Sequence, residues 1–166
     1  NGILDPGVVS ATIGTGGQLF APLDHYQHDP ALRVHTFCHV TSKRWHWEAA
    51  ILTAGAALGW LRDQVLGGAH DYAALADAAA EVPPGADDLI FLPYLVGERT
   101  PHMDPDARGA FYGLTLQHDW RYMARAVMEG VVFALKDGLA CFVDLGAVVR
   151  CVIAAGGATR HPLWLQ

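Results

Sequence analysis

Three short glycine-bearing stretches and one charged loop hold the residues of this sequence whose types and spacing suit chemistry. Gly14-Thr15-Gly16-Gly17 lies between two apolar or β-branched runs, Val8 to Ile13 and Gln18 to Leu23. Without Cβ atoms, backbone N–H groups can approach an anion closely, and the Thr15 hydroxyl adds a donor. A tight turn that needs positive φ explains the same glycines, and taken alone they favour that reading. The pattern is neither the Walker nor the Rossmann one. Gly55 and Gly59 are four apart, hence on one face of a helix. Each costs roughly 1 kcal/mol of helix propensity against alanine, which asks for close packing or for bare backbone against a nucleotide. Gly156-Gly157-Ala158 follows the apolar run Val148 to Ala154 and precedes a helix-like stretch from Thr159. Strand, glycine turn and helix N-terminus make an edge suited to an anion or nucleotide, or simply a strand-to-helix turn.

The loop runs from Gly97 to Gly109 (GERTPHMDPDARG). Its prolines, glycines and charges exclude a regular element, and loops of that length are usually functional or disordered. Apolar strands are expected on both sides, over Ile90 to Leu92 and Phe111 to Leu116, so an ordered, functional loop is expected. Glu98 and Arg99 could either face a cleft, at the end of the site where an acceptor binds, or help tie the loop down. Asp104, Asp106 and Arg108 are expected to tie the loop down through ion pairs and bonds to the backbone.

The elements that must position these residues follow from periodicity. The GTGG segment reads as the turn of a hairpin, and Arg33 to Val40 as a further strand. His35 and His39 are four apart on that strand, which gives no shared helical face, so ordinary half-buried histidines are expected there. Trp47 to Leu66 reads as a helix with Ile51, Ala54, Leu58, Leu61 and Val65 on its apolar face, ended by Gly67-Gly68. Asp71 to Glu81 reads as a shorter alanine-rich helix capped by Asp71. Asp119 to Leu145 reads as a long helix with Asp119 as N-cap and Gly146 closing it. Glu129 sits within its apolar stretch, either as a hydrogen-bonded structural carboxylate, the favoured reading, or on a cleft wall. Val148 to Ala154 is expected to be a buried strand. Strands come first and then alternate with helices, so the class is α/β.

Composition excludes several functions. The 166 residues are 52% hydrophobic and 17% charged, which is globular and not disordered. A net charge of -6 offers no electrostatic case for nucleic acid or an anionic membrane. No apolar run approaches the ~20 residues of a membrane span. A charged-then-apolar leader is absent too, from which a cytoplasmic location is expected. Cys38, Cys141 and Cys151 are odd in number and set among apolar residues. Buried free thiols are expected, with no disulfide framework and no metal site.

Taken together, the glycine sites in this order and the loop between them resemble the FGGY family of carbohydrate kinases, along essentially the whole chain. Within the family the resemblance is closest to the xylulokinases, and LPYLVGERTPHMDPDARGAFYGLTL is its most specific piece. Other members, gluconate and glycerol kinases among them, vary around the GERTPH half. Gly109 to Glu129 is similar to a second family pattern, with Gly109, Phe111, Gly113, Leu114, Met123, Ala126 and Glu129 in place. Tyr122 departs from it, where His, Asp, Glu, Asn or Gln is expected.

The resemblance implies an actin-like, ribonuclease-H-like ATPase domain in an incomplete copy. Residues 1–166 would then be most of the second, C-terminal domain and would supply the nucleotide wall of a cleft. An N-terminal sugar-binding domain would be the missing partner. ATP with Mg²⁺ is the implied cofactor, and a sugar, most closely D-xylulose, the implied phosphoryl acceptor. Gly14, Thr15 and Gly16 look like a phosphate loop, and Gly55 matches a helix position near the phosphates. Gly59 stands where some relatives carry glutamine. Gly156, Gly157 and Ala158 look like the adenosine motif, with His161 near the adenine. The family's general base is an aspartate a short way upstream of the glycine turn. That places it before Asn1, because Asp5 reads as a turn residue, so no catalytic residue is assigned in this chain. These 166 residues alone are therefore expected to be inert, and the bare cleft surface to favour self-association as a homodimer. Other readings stay open: a kinase for gluconate, ribulose or a polyol, a non-catalytic actin-like nucleotide-binding module, or a glycine-rich α/β domain with no nucleotide.

Overall fold

A computed structural model describes residues 2–165. Strands β1 (Val8–Ile13) and β2 (Gly17–Leu23) form the expected hairpin, antiparallel, with Ser10 opposite Phe20 and Ile13 opposite Gly17. Strand β3 (His35–Cys38) lies inside the run expected for it. Trp45–Ile51 is a strand, β4, paired antiparallel with both β2 and β3. This corrects the helix expected from Trp47. Glu-Ala-Ala-Ile-Leu has good helix propensity, but Trp47, Ala49 and Ile51 are buried while Trp45, His46, Glu48 and Ala50 are only half-buried. That period of two, completed by pairing to a neighbour on each side, overrides local preference.

The helix begins only at Gly55. Helix α1 (Gly55–Trp60) widens into a π-helical segment, Leu61–Val65, and Gly67 and Gly68 end it with φ of +61° and +74°. Helix α2 (Tyr72–Ala80) is capped as expected, the Asp71 carboxylate accepting from the Ala74 N–H at 2.8 Å. Strands β5 (Ile90–Leu92) and β6 (Ala110–Tyr112) make a separate two-stranded sheet around the loop. β6 is shorter than expected: Gly113 turns the backbone with φ of +91°, and Leu116 stands fully exposed.

Helix α3 (Trp120–Asp144) begins at Asp119, whose carboxylate accepts from the Arg121 N–H at 2.9 Å. It is the spine of the core. Its first half packs Ala124, Val127 and Val131 against α1, α2 and Phe91. Its second half lays Ala134, Leu135 and Phe142 on the inner face of the sheet, where Phe142 stacks on Trp47 at 5.7 Å between ring centroids. Burying side chains of that size is worth roughly 1.5–3 kcal/mol each.

Strand β7 (Cys151–Ala155) pairs parallel with β1 and completes the order β3-β4-β2-β1-β7. It was expected to be buried, but Val152 and Ile153 are 44% and 40% exposed. β7 is an edge strand, and no described element covers it. The helix expected from Thr159 is instead two 3₁₀ turns, Gly157–Arg160 and Pro162–Leu165, and Pro162 has no N–H to carry an α-helical ladder between them. Gln166, the last residue of that expected helix, lies outside the described residues. Of the three cysteines only Cys141 is buried; Cys38 and Cys151 are exposed free thiols. The architecture is α/β, and among the described residues no helix is long and apolar enough to cross a membrane.

Candidate functional site

Parallel pairing of β1 with β7 sets Thr12 opposite Ala155, so the two glycine turns that follow these strands lie side by side. The start of α1 closes the third side. Its first N–H groups have no intrahelical partner, and here the GTGG turn takes them. Ala54 N–H and Ala56 N–H donate to the Thr15 carbonyl at 3.0 Å each, and Gly55 N–H donates to the Gly14 carbonyl at 2.8 Å. Turn and helix are thereby locked together. The Gly14 N–H closes the turn onto the Gly16 carbonyl at 2.9 Å. The N–H groups of Thr15 and Gly16 are not used in the turn's own bonds, and the exposed Thr15 hydroxyl has no partner among the described residues. These are the donors left for an anion.

A cavity of about 650 Å³ opens over this junction. It falls within the ~300–1,000 Å³ typical of small-molecule sites. Gly14, Thr15, Gly55, Gly157, Ala158 and His161, all expected at the site, line it together. Gly16 and Gly156 do not: they stand behind the wall. The glycines divide by what a side chain would meet. At Gly55 a Cβ would run into the Gly14 carbonyl, and at Gly156, where φ is +94°, into the Ile13 carbonyl. A Cβ on Gly16 would sit 2.9 Å from the Ile51 carbonyl oxygen. The fold itself requires glycine at all three. Gly14 is different, with only the Gly16 carbonyl as near as 3.8 Å, and a Cβ on Gly157 would meet nothing within 4 Å. Packing does not explain these two, and both face the cavity.

The remaining wall was missed by sequence reasoning. Tyr72, Ala73 and Ala76 of α2 face the cavity, as do Leu58, Arg160 and Trp164. The alanine richness of α2 was the available signal, since small side chains on a buried helix face leave room beside it. His161 ties the two sides together. Its Nδ1 accepts from the Leu163 N–H at 3.2 Å, so Nε2 carries the proton and donates to Asp77 on α2 at 3.1 Å. Gly59 lies against the Tyr72 hydroxyl, with 3.0 Å between that oxygen and a Cβ built there, which answers its absent side chain by packing. Among the described residues no group of His, Cys, Asp and Glu could hold a metal ion.

The charged loop sits behind this site. Glu98 and Arg99 are not on the cavity wall. Glu98 is only 2% exposed; its Oε1 accepts from the Leu52 N–H at 2.9 Å and the Arg99 N–H at 2.7 Å, while Oε2 is buried without a partner. Burial pushes its carboxyl above the usual range, against the two N–H donors that pull it down. Arg99 is exposed, and its side chain has no partner among the described residues. Asp104 to Arg108 hold the loop together as expected. Glu98 and Asp104 exchange backbone bonds of 2.8 and 2.9 Å, Asp104 Oδ1 accepts from the Asp106 N–H, and Arg108 Nη1 donates to the Pro105 and Ala107 carbonyls. Glu129 is the structural carboxylate expected of it, accepting from the Gly85 N–H at 3.0 Å and from Arg125 Nε at 2.5 Å. It also borders a smaller cavity of about 270 Å³.

Comparison with known proteins places this geometry. The model of the FGGY family of carbohydrate kinases, C-terminal domain, matches residues 9–166. Xylulose kinase of Escherichia coli (strain K12) is 39% identical over 99% of this chain, and gluconokinase of Bacillus subtilis (strain 168) is 36% identical over 96% of it. The chain spans about a third of the length of these relatives, 34% and 33%. The crystal structure of xylulose kinase from Rhodospirillum rubrum superposes with a TM-score of 0.90 at 33% identity, over 99% of this chain and 33% of that one. The domain is accordingly actin-like and ribonuclease-H-like, as the resemblance implied. On the match of its sequence to the family model over nearly its whole length, the chain belongs to the FGGY family of carbohydrate kinases.

Proposed function

We propose that this chain forms the nucleotide-binding wall of an ATP-dependent sugar kinase, and that the sugar is D-xylulose, phosphorylated on its C5 hydroxyl. The observation that carries the reading is the pair of glycines that packing does not require, Gly14 and Gly157, facing one cavity beside the unpaired Thr15 hydroxyl. Bare backbone and a free hydroxyl fit a phosphate chain lying over the β1–β2 turn, with Thr15 donating to it. The apolar side, where Ala76, Ala158 and Trp164 meet His161, fits a purine base.

ATP with Mg²⁺ supplies a γ-phosphoryl group whose transfer depends mainly on positioning and charge stabilisation. This chain's own part is to orient the nucleotide through the turn, α1 and the Gly156–His161 segment. No carboxylate lines the cavity among the described residues, so the base that accepts the sugar's proton is assigned to none of them. We assign that base to an aspartate upstream of the β1–β2 hairpin, and sugar binding to a separate N-terminal domain. The greater length of the relatives supports both assignments.

Likeness to xylulose kinases of 39% and 40% identity, together with the GERTPH form of the loop, favours xylulose. The 36% identity to gluconokinase keeps gluconate as the second reading. ADP release by the full-length protein, measured with xylulose, ribulose, gluconate and glycerol, tests the assignment. The highest kcat/KM is expected with xylulose. A preference for gluconate would move the assignment to the second reading, and no sugar-dependent release would reduce the domain to a nucleotide-binding module. Residues 1–166 alone are expected to consume no ATP in the presence of xylulose.

A further inference from the structure

The polar group in this fold that most needs a reason is Glu98. A carboxylate that is 2% exposed carries a large desolvation cost, and its Oε2 has no partner. What it does hold is specific. Oε1 takes the N–H of Leu52, the first residue after β4, and through that residue it reaches the phosphate turn. The carbonyls of Ile51 and Leu52 lie directly under Gly16, 2.9 and 3.4 Å from where its Cβ would be. Two residues further on, the Ala54 N–H grips the Thr15 carbonyl from the other side. The segment from Ile51 to Ala56 therefore wraps the turn, held at one end by the pairing of Ile51 with Gly17 and at the other by the bonds of Ala54, Gly55 and Ala56 to the turn, with Leu52 between them held by Glu98. Ala54, the N-cap of α1, has no side-chain capping bond and an unusual backbone, φ -116° and ψ -96°. Neighbouring Thr53 has a buried hydroxyl without a partner. The other anchor from the loop is Thr100, whose N–H donates to the Ala50 carbonyl at 3.1 Å.

We propose that Glu98 is a positioning residue for the nucleotide phosphates: by holding Leu52 it fixes the segment that sets the GTGG turn, and with it the donors of Thr15. The inference rests on the reading that the cavity binds ATP. It assigns a role to the GERTPH half of the loop, which touches no part of the cavity wall itself. Glu98 acts through Leu52 and not on the substrate, so its effect should fall on nucleotide binding and spare the sugar.

Steady-state kinetics of the full-length protein with Glu98→Ala, Glu98→Asp and Glu98→Gln test this. Glu98→Ala should raise the KM for ATP about tenfold, as expected for loss of a buried hydrogen bond, with the KM for sugar unchanged within about twofold. Glu98→Asp, one methylene too short to reach Leu52, should do the same and covers the case in which the alanine variant fails to fold. Glu98→Gln keeps the Oε1 acceptor and should restore the KM for ATP to within about threefold of wild type. Amide exchange across residues 51–56 should quicken in the alanine and aspartate variants and not in the glutamine variant. Equal ATP KM values in all four proteins would overturn the inference, as would ATP and sugar KM values rising together. If wild type saturates with ATP while these variants behave like it, only the role of Glu98 fails. If wild type shows no ATP dependence, the nucleotide reading fails and takes this inference with it.

Discussion

The cavity wall and the loop behind it solve opposite problems. Around the glycine turns the wall is built of glycine, alanine and one threonine, with donors left unused and space left open. The loop buries two polar side chains, Glu98 and Thr100, and of their hydrogen-bonding atoms only Glu98 Oε2 lacks a partner. A ligand must supply what the wall lacks, whereas the loop is complete without one. The difference teaches where rigidity comes from. A glycine turn has no side chains with which to hold its own shape, so its geometry is imposed by the polar clasp and by α1.

The largest expected effect lies within the wall. Gly55→Ala forces a Cβ into the Gly14 carbonyl and should cost about 2–3 kcal/mol in denaturant unfolding. Gly157→Ala meets nothing and should stay within about 0.5 kcal/mol of wild type. Equal costs would erase the distinction between structural and ligand-facing glycines.

Next comes the clasp. Thr100 is fully buried; its Oγ1 accepts from the Ala50 N–H at 3.2 Å and donates to the Arg33 carbonyl at 2.8 Å. Thr100→Val strands both backbone groups and should cost about 1–3 kcal/mol. A cost near zero would mean that the clasp adds no rigidity.

A pH series sharpens the role of Glu98. Its carboxyl is raised by burial in the folded state, so the native protein keeps a proton there that the unfolded chain has lost. Stability should therefore fall as pH rises from the unfolded carboxyl range through the raised folded value, and the loss is complete above it. Glu98→Gln removes that fall, visible as a pH-dependent difference in Tm between the two proteins. Asp119 has the opposite sign: hydrogen bonds from Arg121 hold it low. Its contribution is present above the unfolded value and is lost as pH falls through the folded one. A constant Tm difference between wild type and Glu98→Gln would contradict the raised carboxyl. A smaller effect lies at the start of α2, which lines the cavity from Tyr72 onward: Asp71→Ala removes its cap and should cost about 1 kcal/mol by thermal unfolding.

Much of this was legible in the sequence, for local reasons. The hairpin around Gly14–Gly17, the caps at Asp71 and Asp119 and the glycines at 67, 68 and 146 are read from neighbours along the chain, and each lies where expected. Trp47 to Ile51 was misread because alanine and isoleucine suit a helix as well as a strand, and only the partners β2 and β3 decide. The same holds for the cavity wall. Thr15 and Gly157 announce themselves, but Tyr72, Ala76 and Trp164 reach the site through packing of α2 and the last 3₁₀ turn. Glu98 is the sharpest case. Its place in a charged loop left a cleft role and a structural one open, and its partner Leu52, 46 positions away, shows it turned inward.

The most direct test of the nucleotide site is calorimetric titration of MgATP into the full-length protein and its Gly157→Val variant. A Cβ at 157 meets nothing within 4 Å, and position 157 lines the cavity. One site per chain in the wild type, with affinity lowered at least about tenfold in a variant of unchanged Tm, is the predicted result. Equal MgATP affinity in the two proteins, or none in the wild type, would contradict it.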